Sequence, residues 1–170
     1  VNLTPAYDMG YGWSRYAYGV DPDGKNTISD GLAFLKAHPD RDVALMLHFV
    51  EPHLPYQEPE EFRHIWAGEH PDGLPEDFKR FSLLGKRLRQ SGGDLPTIKQ
   101  YVRDRYDQNI RYLDDQLGRL LPTLGEDATV VVFSDHGEEF WEHGGFEHGH
   151  TVYDEVCLLY TSDAADEHSW

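Results

Sequence analysis

The sequence is poor in cysteine, in positive charge and in long apolar runs. Its 170 residues include a single cysteine, Cys157, which excludes an internal disulfide framework and a cysteine-based zinc cage. Asp and Glu outnumber Lys and Arg by 31 to 15, so an anionic partner would be repelled. The longest apolar run, residues 43–50, is too short to span a bilayer. We therefore expect no nucleic-acid partner and no membrane segment in these residues.

The composition nevertheless predicts a folded protein with a polar site. Apolar residues make up 39% of the chain and aromatic residues 13%, which is enough to offset the entropy of ordering a core. The size suits one domain or part of a larger one. Ten histidines are present, and four of them fall between residues 136 and 150. This local surplus of imidazole is the first pointer to function.

Both ends of the chain carry unusual signals. The sequence begins at Val1 without a basic or apolar targeting pattern, so we expect an internal segment of a longer protein whose compartment stays open. Residues 157–167 resemble a translated sequencing adaptor and break the preceding pattern. We therefore predict that the native sequence ends near Val156 and that 157–170 is a non-native tail.

Two apolar segments predict buried strands. Residues 42–50 and 129–133 are continuous apolar runs of strand length without alternation, which is typical of strands covered on both faces. A long helix is predicted between them from Thr97 to about Leu121, because apolar residues recur there at three- and four-residue steps. The fold class is therefore α/β, an open, mostly parallel sheet with helices on both faces.

Two further helices are predicted outside this unit. One begins with Thr27 or Ser29 as its cap and runs to about Ala37, where His38 and a proline end it. The other is a short candidate at residues 76–88, within an irregular stretch.

Three polar clusters follow the predicted strands. His53 comes after the first strand in a proline-rich loop, where imidazole can donate to an anionic oxygen or bind a metal. Asp135 and His136 follow the second strand, and this carboxylate–imidazole pair can bind one divalent cation. Residues 142–150 hold three histidines among glycines, which predicts a loop that approaches a ligand closely.

Each cluster also has a plainer explanation. His53 can be a loop histidine bonded to backbone, Asp135 can cap a turn beside a solvent-facing His136, and residues 142–150 can be a histidine-rich surface loop. Ligands of open α/β sheets bind beyond the carboxyl ends of the strands, and all three clusters fall there. Their convergence favours one site.

Residues 42–156 resemble the sulfatases of the alkaline phosphatase superfamily. Five segments match that family's motifs in order: 53–56 as His-x-Pro-Tyr, 110–121 as the Tyr-Leu-Asp helix, 134–138 as Ser-Asp-His-Gly, 142–144 as Gly-x-His-Gly, and 153–155 as the closing Tyr-Asp-Glu. The resemblance implies a partial sulfatase catalytic domain over residues 1–156. It also implies a metal-dependent hydrolase of sulfate esters on a small molecule or a glycan.

The resemblance also implies roles for individual residues. Asp135 and His136 correspond to metal ligands, with Ca²⁺ favoured and Zn²⁺ or Mn²⁺ as alternatives. His53 and His148 correspond to catalytic residues that contact the transferred group or protonate the leaving alkoxide. Outside these four, His143 and His150 are at best outer contacts, while Glu138 and Glu142 orient the loop.

Two departures from the family pattern keep alternatives open. His148 stands where many sulfatases carry lysine, and a histidine there suits a phosphodiesterase or a phosphoethanolamine transferase. The nucleophile motif Cys/Ser-x-Pro-x-Arg and the Asp-Asp metal pair are absent, so we expect them upstream of Val1 and expect this fragment to be inactive. A non-catalytic cation-binding module is the alternative outside enzymes.

Overall fold

The computed structural model of the protein describes residues 8–17, 23–72, 74 and 95–157. Its regular elements are helix α1 (Gly24–Ala37), helix α2 (Leu95–Leu120), strand β1 (Glu139–Phe140), strand β2 (Phe146–Glu147) and helix α3 (Asp154–Cys157), with 3₁₀ turns at Glu60–Phe62 and Leu121–Thr123. The helical candidate at 76–88 and the tail after Cys157 lie outside the described residues. No helix within these ranges is long and apolar enough to cross a membrane.

Helix α1 begins earlier than its sequence predicted. Its cap is Asp23, whose side chain accepts a hydrogen bond from the Lys25 N–H at 2.9 Å, so the helix starts before Thr27. An aspartate satisfies the free N–H groups of the first turn at least as well as threonine or serine does, so the cap position was predicted wrongly. The helix ends at Ala37 as predicted, with the His38 N–H bonded to the Leu35 carbonyl at 3.0 Å.

Helix α2 matches the long predicted helix within about two residues at each end. The face that it buries is only partly the predicted apolar stripe. Val102 and Leu120 are buried, but Ile110 is 44% exposed. The inward face instead includes four polar side chains, namely Arg105, Gln108, Asn109 and Gln116. Polar groups can be buried there only because they find partners.

The hydrophobic core joins three parts of the chain. It lies between the first half of α2, the loop of residues 54–74 and the hairpin of β1 and β2. Its buried members are Leu54, Tyr56, Ala67, Leu74, Ile98, Tyr101, Val102 and Phe146. Helix α1 packs against α2 farther along, where the Tyr112 hydroxyl donates to the Asp23 carboxylate and accepts from the Lys25 N–H.

The two predicted strands are not strands in the part of the chain that the structure describes. The sheet found there is antiparallel and two-stranded, with Glu139 opposite Glu147 and Phe140 opposite Phe146. Residues 42–50 and 129–133 lie outside it, and Val131, Val132 and Phe133 are 74, 79 and 73% exposed. A central strand needs neighbours for its backbone groups and for both faces. None of the described residues supplies them, and the open parallel sheet stays a prediction.

Candidate functional site

The structure brings three of the four predicted site residues into one cluster. One ring nitrogen each from His53, His136 and His148 lies within 4.8 Å of the others. The rings of His136 and His148 stack with centroids 3.8 Å apart, and His53 meets His148 edge-on at 4.9 Å. We call these three residues the histidine cluster. Its members come from three segments of the chain, namely the loop after residue 50, the segment before β1 and the segment after β2, so only the folded chain assembles it.

The loop that carries His53 is anchored on both sides. The backbone N–H of His53 donates to the Val50 carbonyl at 2.8 Å, and its ring Nδ1 donates to the Leu54 carbonyl. Leu54 and Tyr56, just beyond, are buried in the core. The ring therefore projects from a fixed backbone, although its own side chain is exposed.

Asp135 and His136 lie next to each other at the edge of the cluster. Nδ1 of His136 donates to the Gly137 carbonyl at 2.8 Å, while Nε2 of His136 lies 3.7 Å from Asp135 Oδ1. The Asp135 side chain is 58% exposed. This carboxylate is therefore accessible beside the cluster but does not belong to it.

The backbone after His136 is held against helix α3. Gly137 N–H donates to the Val156 carbonyl at 2.9 Å, and Glu138 N–H donates to the Glu155 carbonyl at 3.0 Å. A Cβ at position 137 would lie 2.1 Å from the Glu155 carbonyl oxygen. The absence of a side chain at Gly137 permits this close approach of two backbone segments.

Replacing Gly137 by alanine is expected to lower the free energy of unfolding by at least about 2 kcal/mol, because backbone atoms must move to admit the methyl group. Urea unfolding of the variant measures this loss. Gly118→Ala is the matched control, since a Cβ there meets open space in the interior of α2. That control should be stabilised by up to about 1 kcal/mol. Equal stability of both variants would contradict the packing described.

Glu138 holds His148 in place. Its Oε1 bonds to His148 Nδ1 at 2.9 Å, and its side chain is only 5% exposed. Burial raises the pKa of Glu138 to about 7, although the imidazoles of His53 and His136 act in the opposite direction. Burial also lowers the pKa of His148, and the neighbouring His136 lowers it further. Glu138 was expected to orient the loop; it orients the imidazole of His148 itself.

Glu139 shapes the loop between β1 and β2, a role that the sequence did not reveal. Its fully buried carboxylate accepts from Gly145 N–H at 2.6 Å, from His143 N–H at 3.3 Å and from the Thr151 hydroxyl at 3.3 Å. Burial acts to raise the pKa of Glu139, but these donors outweigh it and hold the pKa below its ordinary value. A Cβ at Gly145 would lie 2.6 Å from this carboxylate. The glycine therefore permits the loop to wrap tightly around Glu139.

The other predicted outer residues support this loop. His143 stacks on Tyr153 with centroids 3.7 Å apart, and His150 Nε2 lies 3.5 Å from Glu139 Oε2. Glu142 accepts from the Phe140 N–H and pairs with Arg103 at 2.9 Å. Neither histidine belongs to the histidine cluster.

A buried ionic network ties the His53 loop to helix α2. Glu58, which is 1% exposed, accepts from the Arg105 guanidinium, from Gln108 at 3.2 Å and from Asn109 at 2.6 Å. Arg105 also donates to the Tyr56 carbonyl at 2.6 Å. This network was not predicted from the sequence. The sequence signal that could have indicated it is a set of polar residues at helical spacing in α2, together with an acidic residue in a proline-rich loop.

The donor set at the site can be compared with what metals require. Asp135 offers an exposed carboxylate, and the histidine cluster offers three imidazoles. This mixture fits a divalent ion that accepts nitrogen ligands, such as Zn²⁺ or Mn²⁺. Ca²⁺ takes about six to eight oxygen ligands, and among the predicted site residues only Asp135 has a carboxylate oxygen to give. The four predicted site residues do not by themselves fit calcium.

Comparisons with known proteins place these residues in a family context. The family model described as Sulfatase matches residues 7–164. Human iduronate 2-sulfatase is 29% identical over 123 residues, covering 59% of this chain and 22% of the relative. The uncharacterized sulfatase YidJ of Escherichia coli strain K12 is 26% identical over 134 residues, covering 72% of this chain and 26% of the relative. The mouse iduronate 2-sulfatase is 27% identical over 123 residues, with coverage of 59% and 22%.

The chain thus spans about a quarter of the length of these curated relatives, or slightly less. No solved structure matches it.

Proposed function

The chain belongs to the sulfatase family, and we propose that it supplies the ester-binding and part of the metal-binding residues of a sulfuric ester hydrolase. Family membership implies an alkaline-phosphatase-like α/β fold. The observation that carries the proposal is the convergence of His53, His136 and His148 beside Asp135. Two separate motifs of the family resemblance, 53–56 and 134–138, meet there together with His148, as a shared site requires.

His53 and His148 act on the ester in this proposal. Each ring has Nδ1 engaged, by the Leu54 carbonyl and by Glu138 respectively, which leaves Nε2 for a ligand. A proton taken up at Nε2 can be donated to an anionic ester oxygen or passed to the leaving alkoxide. The fixed Nδ1 contacts orient both rings before substrate arrives, which reduces the entropy lost in reaching the reactive geometry.

Asp135 and His136 would hold a divalent ion, as sulfatases generally require. When bound, such an ion supplies Lewis-acid charge at the ester oxygens. Glu138 and Glu139 keep the surrounding loop in shape through His148 and Gly145. The name of the human relative, iduronate 2-sulfatase, supports a glycan sulfate ester as the substrate class.

A phosphate ester is the second candidate substrate, and His148 is the observation that favours it. Lysine at this position is common in sulfatases, whereas histidine is familiar in phospho-acting relatives. An assay with matched aryl sulfate and aryl phosphate substrates separates the two, using a protein that joins this chain to its nucleophile segment. A kcat/KM that favours the sulfate supports the first proposal, and the reverse preference supports a phosphodiesterase or phosphoethanolamine transferase.

The 170-residue chain alone is expected to show no turnover of either aryl ester. Its sequence holds no Cys/Ser-x-Pro-x-Arg motif, so no nucleophile of the family type is present. Release of the aryl alcohol, followed by absorbance, provides the measurement. Turnover above that of buffer by the purified chain would show that another residue serves as the nucleophile.

A further inference from the structure

The histidine cluster has the arrangement of a nitrogen-rich metal site. We propose that His53, His136 and His148 together bind a transition-metal ion of the Zn²⁺ class, and that this ion occupies the imidazoles proposed to bind the ester. The site differs from an oxygen-rich calcium site in its ligands. The inference that the ion affects turnover rests on the proposed function, but the inference that the ion binds to these residues does not.

The first support is the proton position on each ring. Nδ1 of His53 and Nδ1 of His136 each bond to a backbone carbonyl, which can only accept. Nδ1 therefore carries the proton, and in the neutral ring Nε2 keeps the lone pair that a metal needs. Nδ1 of His148 bonds to the buried Glu138 carboxyl group, the pairing that commonly supports metal-binding imidazoles. All three rings thus have Nδ1 engaged and Nε2 available.

The second support is distance. One nitrogen from each ring lies within 4.8 Å of the others. A Zn–N bond of about 2.0–2.1 Å places ligand nitrogens about 3.4 Å apart in a tetrahedral site. The ring nitrogens, rather than the ring centres, need to approach one another by at most about 1.4 Å, a movement that side-chain torsions supply. His53 is exposed and can make that movement without disturbing the core.

The third support is the surrounding charge. Asp135 Oδ1 lies 3.7 Å from His136 Nε2, so a carboxylate is available as a fourth ligand. The chain carries a formal charge of −16, which favours cations in general. Three imidazoles and one carboxylate suit Zn²⁺ and disfavour Ca²⁺, which prefers an all-oxygen shell. Charge thus attracts cations, and the ligand type selects among them.

Isothermal titration of the 170-residue chain with Zn²⁺ and with Ca²⁺ tests the proposal, and the visible absorption of bound Co²⁺ reports nitrogen coordination. We expect Zn²⁺ to bind with one ion per chain and far more tightly than Ca²⁺. Mutating a residue that hydrogen-bonds to a metal-ligating side chain lowers metal affinity by about 10–100-fold. Removing one of the ligating imidazoles itself should therefore lower the affinity for Zn²⁺ by at least about 100-fold. His53→Gln and His148→Lys should both show this loss, while His64→Ala should not.

These variants separate the two proposals. His148→Lys removes one imidazole of the histidine cluster, so it should abolish tight Zn²⁺ binding. His53→Gln alters an exposed side chain and keeps the fold, which its circular dichroism checks. If Zn²⁺ bound equally well to the native chain and to both cluster variants, the proposed metal site would be wrong. The proposed hydrolase function would not be affected by that result. The proposed metal site would also be wrong if His64→Ala lost as much Zn²⁺ affinity as the cluster variants, because the side chain of His64 is 63% exposed and lies outside the cluster.

Discussion

Asp135→Ala is expected to lower kcat/KM for ester hydrolysis by roughly 10³-fold in a protein that joins this chain to its nucleophile segment. The substitution removes the accessible carboxylate next to His136 and with it one proposed metal ligand. The loss should fall on kcat more than on KM, because the missing charge acts most strongly where charge develops in the transition state. Steady-state kinetics with an aryl sulfate provide the measurement.

The same experiment decides between an enzyme and a non-catalytic cation-binding module. His53→Ala should also lose about 10²–10³-fold in kcat/KM, as expected for loss of one group that stabilises developing charge. His64→Ala serves as the control, because this histidine lies outside the histidine cluster and is largely exposed. Unchanged turnover in Asp135→Ala and His53→Ala would favour the cation-binding module.

Glu58→Gln is expected to cost about 3–5 kcal/mol of stability, because it leaves the Arg105 guanidinium buried without its counter-charge. That loss is a large fraction of the total stability of an ordinary domain, about 5–15 kcal/mol. The change also weakens the link between α2 and the loop that carries His53. Urea unfolding followed by circular dichroism measures the change.

Two further variants test whether this loss of stability comes from the burial of the ion pair. Glu60→Gln breaks the exposed pair with Arg63, in which Glu60 is 73% exposed, and should cost no more than about 1 kcal/mol. Glu58→Leu combined with Arg105→Met removes both charges, so it should cost less than the sum of the two single changes. Additive losses would show that Glu58 and Arg105 do not act as a pair.

The sequence predicted helices α1 and α2 because periodicity and helix-ending residues are local signals, whereas the meeting of the three histidines was predicted from the convergence of polar clusters and from the family resemblance. Periodicity located α2, and His38 with its following proline located the end of α1. The motif positions of His53 and His148 predicted that they would meet, and the structure places one nitrogen of each within 4.8 Å. The metal and catalytic roles of these residues stay predictions.

Burial of polar groups could not be predicted in the same way. The periodicity of α2 assigned Ile110 to the core, but the structure buries Arg105 and leaves Ile110 exposed. Whether a charge can be buried depends on a partner, and that partner, Glu58, lies in a loop without any periodic pattern. The burial of Glu139 was not predicted either, since two of its three donors are backbone N–H groups that no sequence motif marks.

The strands depended on neighbours rather than on their own residues. The run at 129–133 has the composition of a buried strand, yet in the described structure Val132 is 79% exposed. A strand is stabilised by pairing with other strands, so its composition alone cannot place it in a sheet. By contrast, β1 and β2 pair locally across a tight loop, and their two-residue length left little pattern to read.

The long stretch of chain between His53 and His136 gives the histidine cluster a thermodynamic meaning. In the unfolded chain the three imidazoles are apart, so an ion that needs all of them binds only the native state. Such an ion shifts the folding equilibrium by mass action, by about 2.7 kcal/mol when its free concentration is 100 times its Kd. The cluster then links the availability of metal in the surroundings to the fraction of chains that are folded.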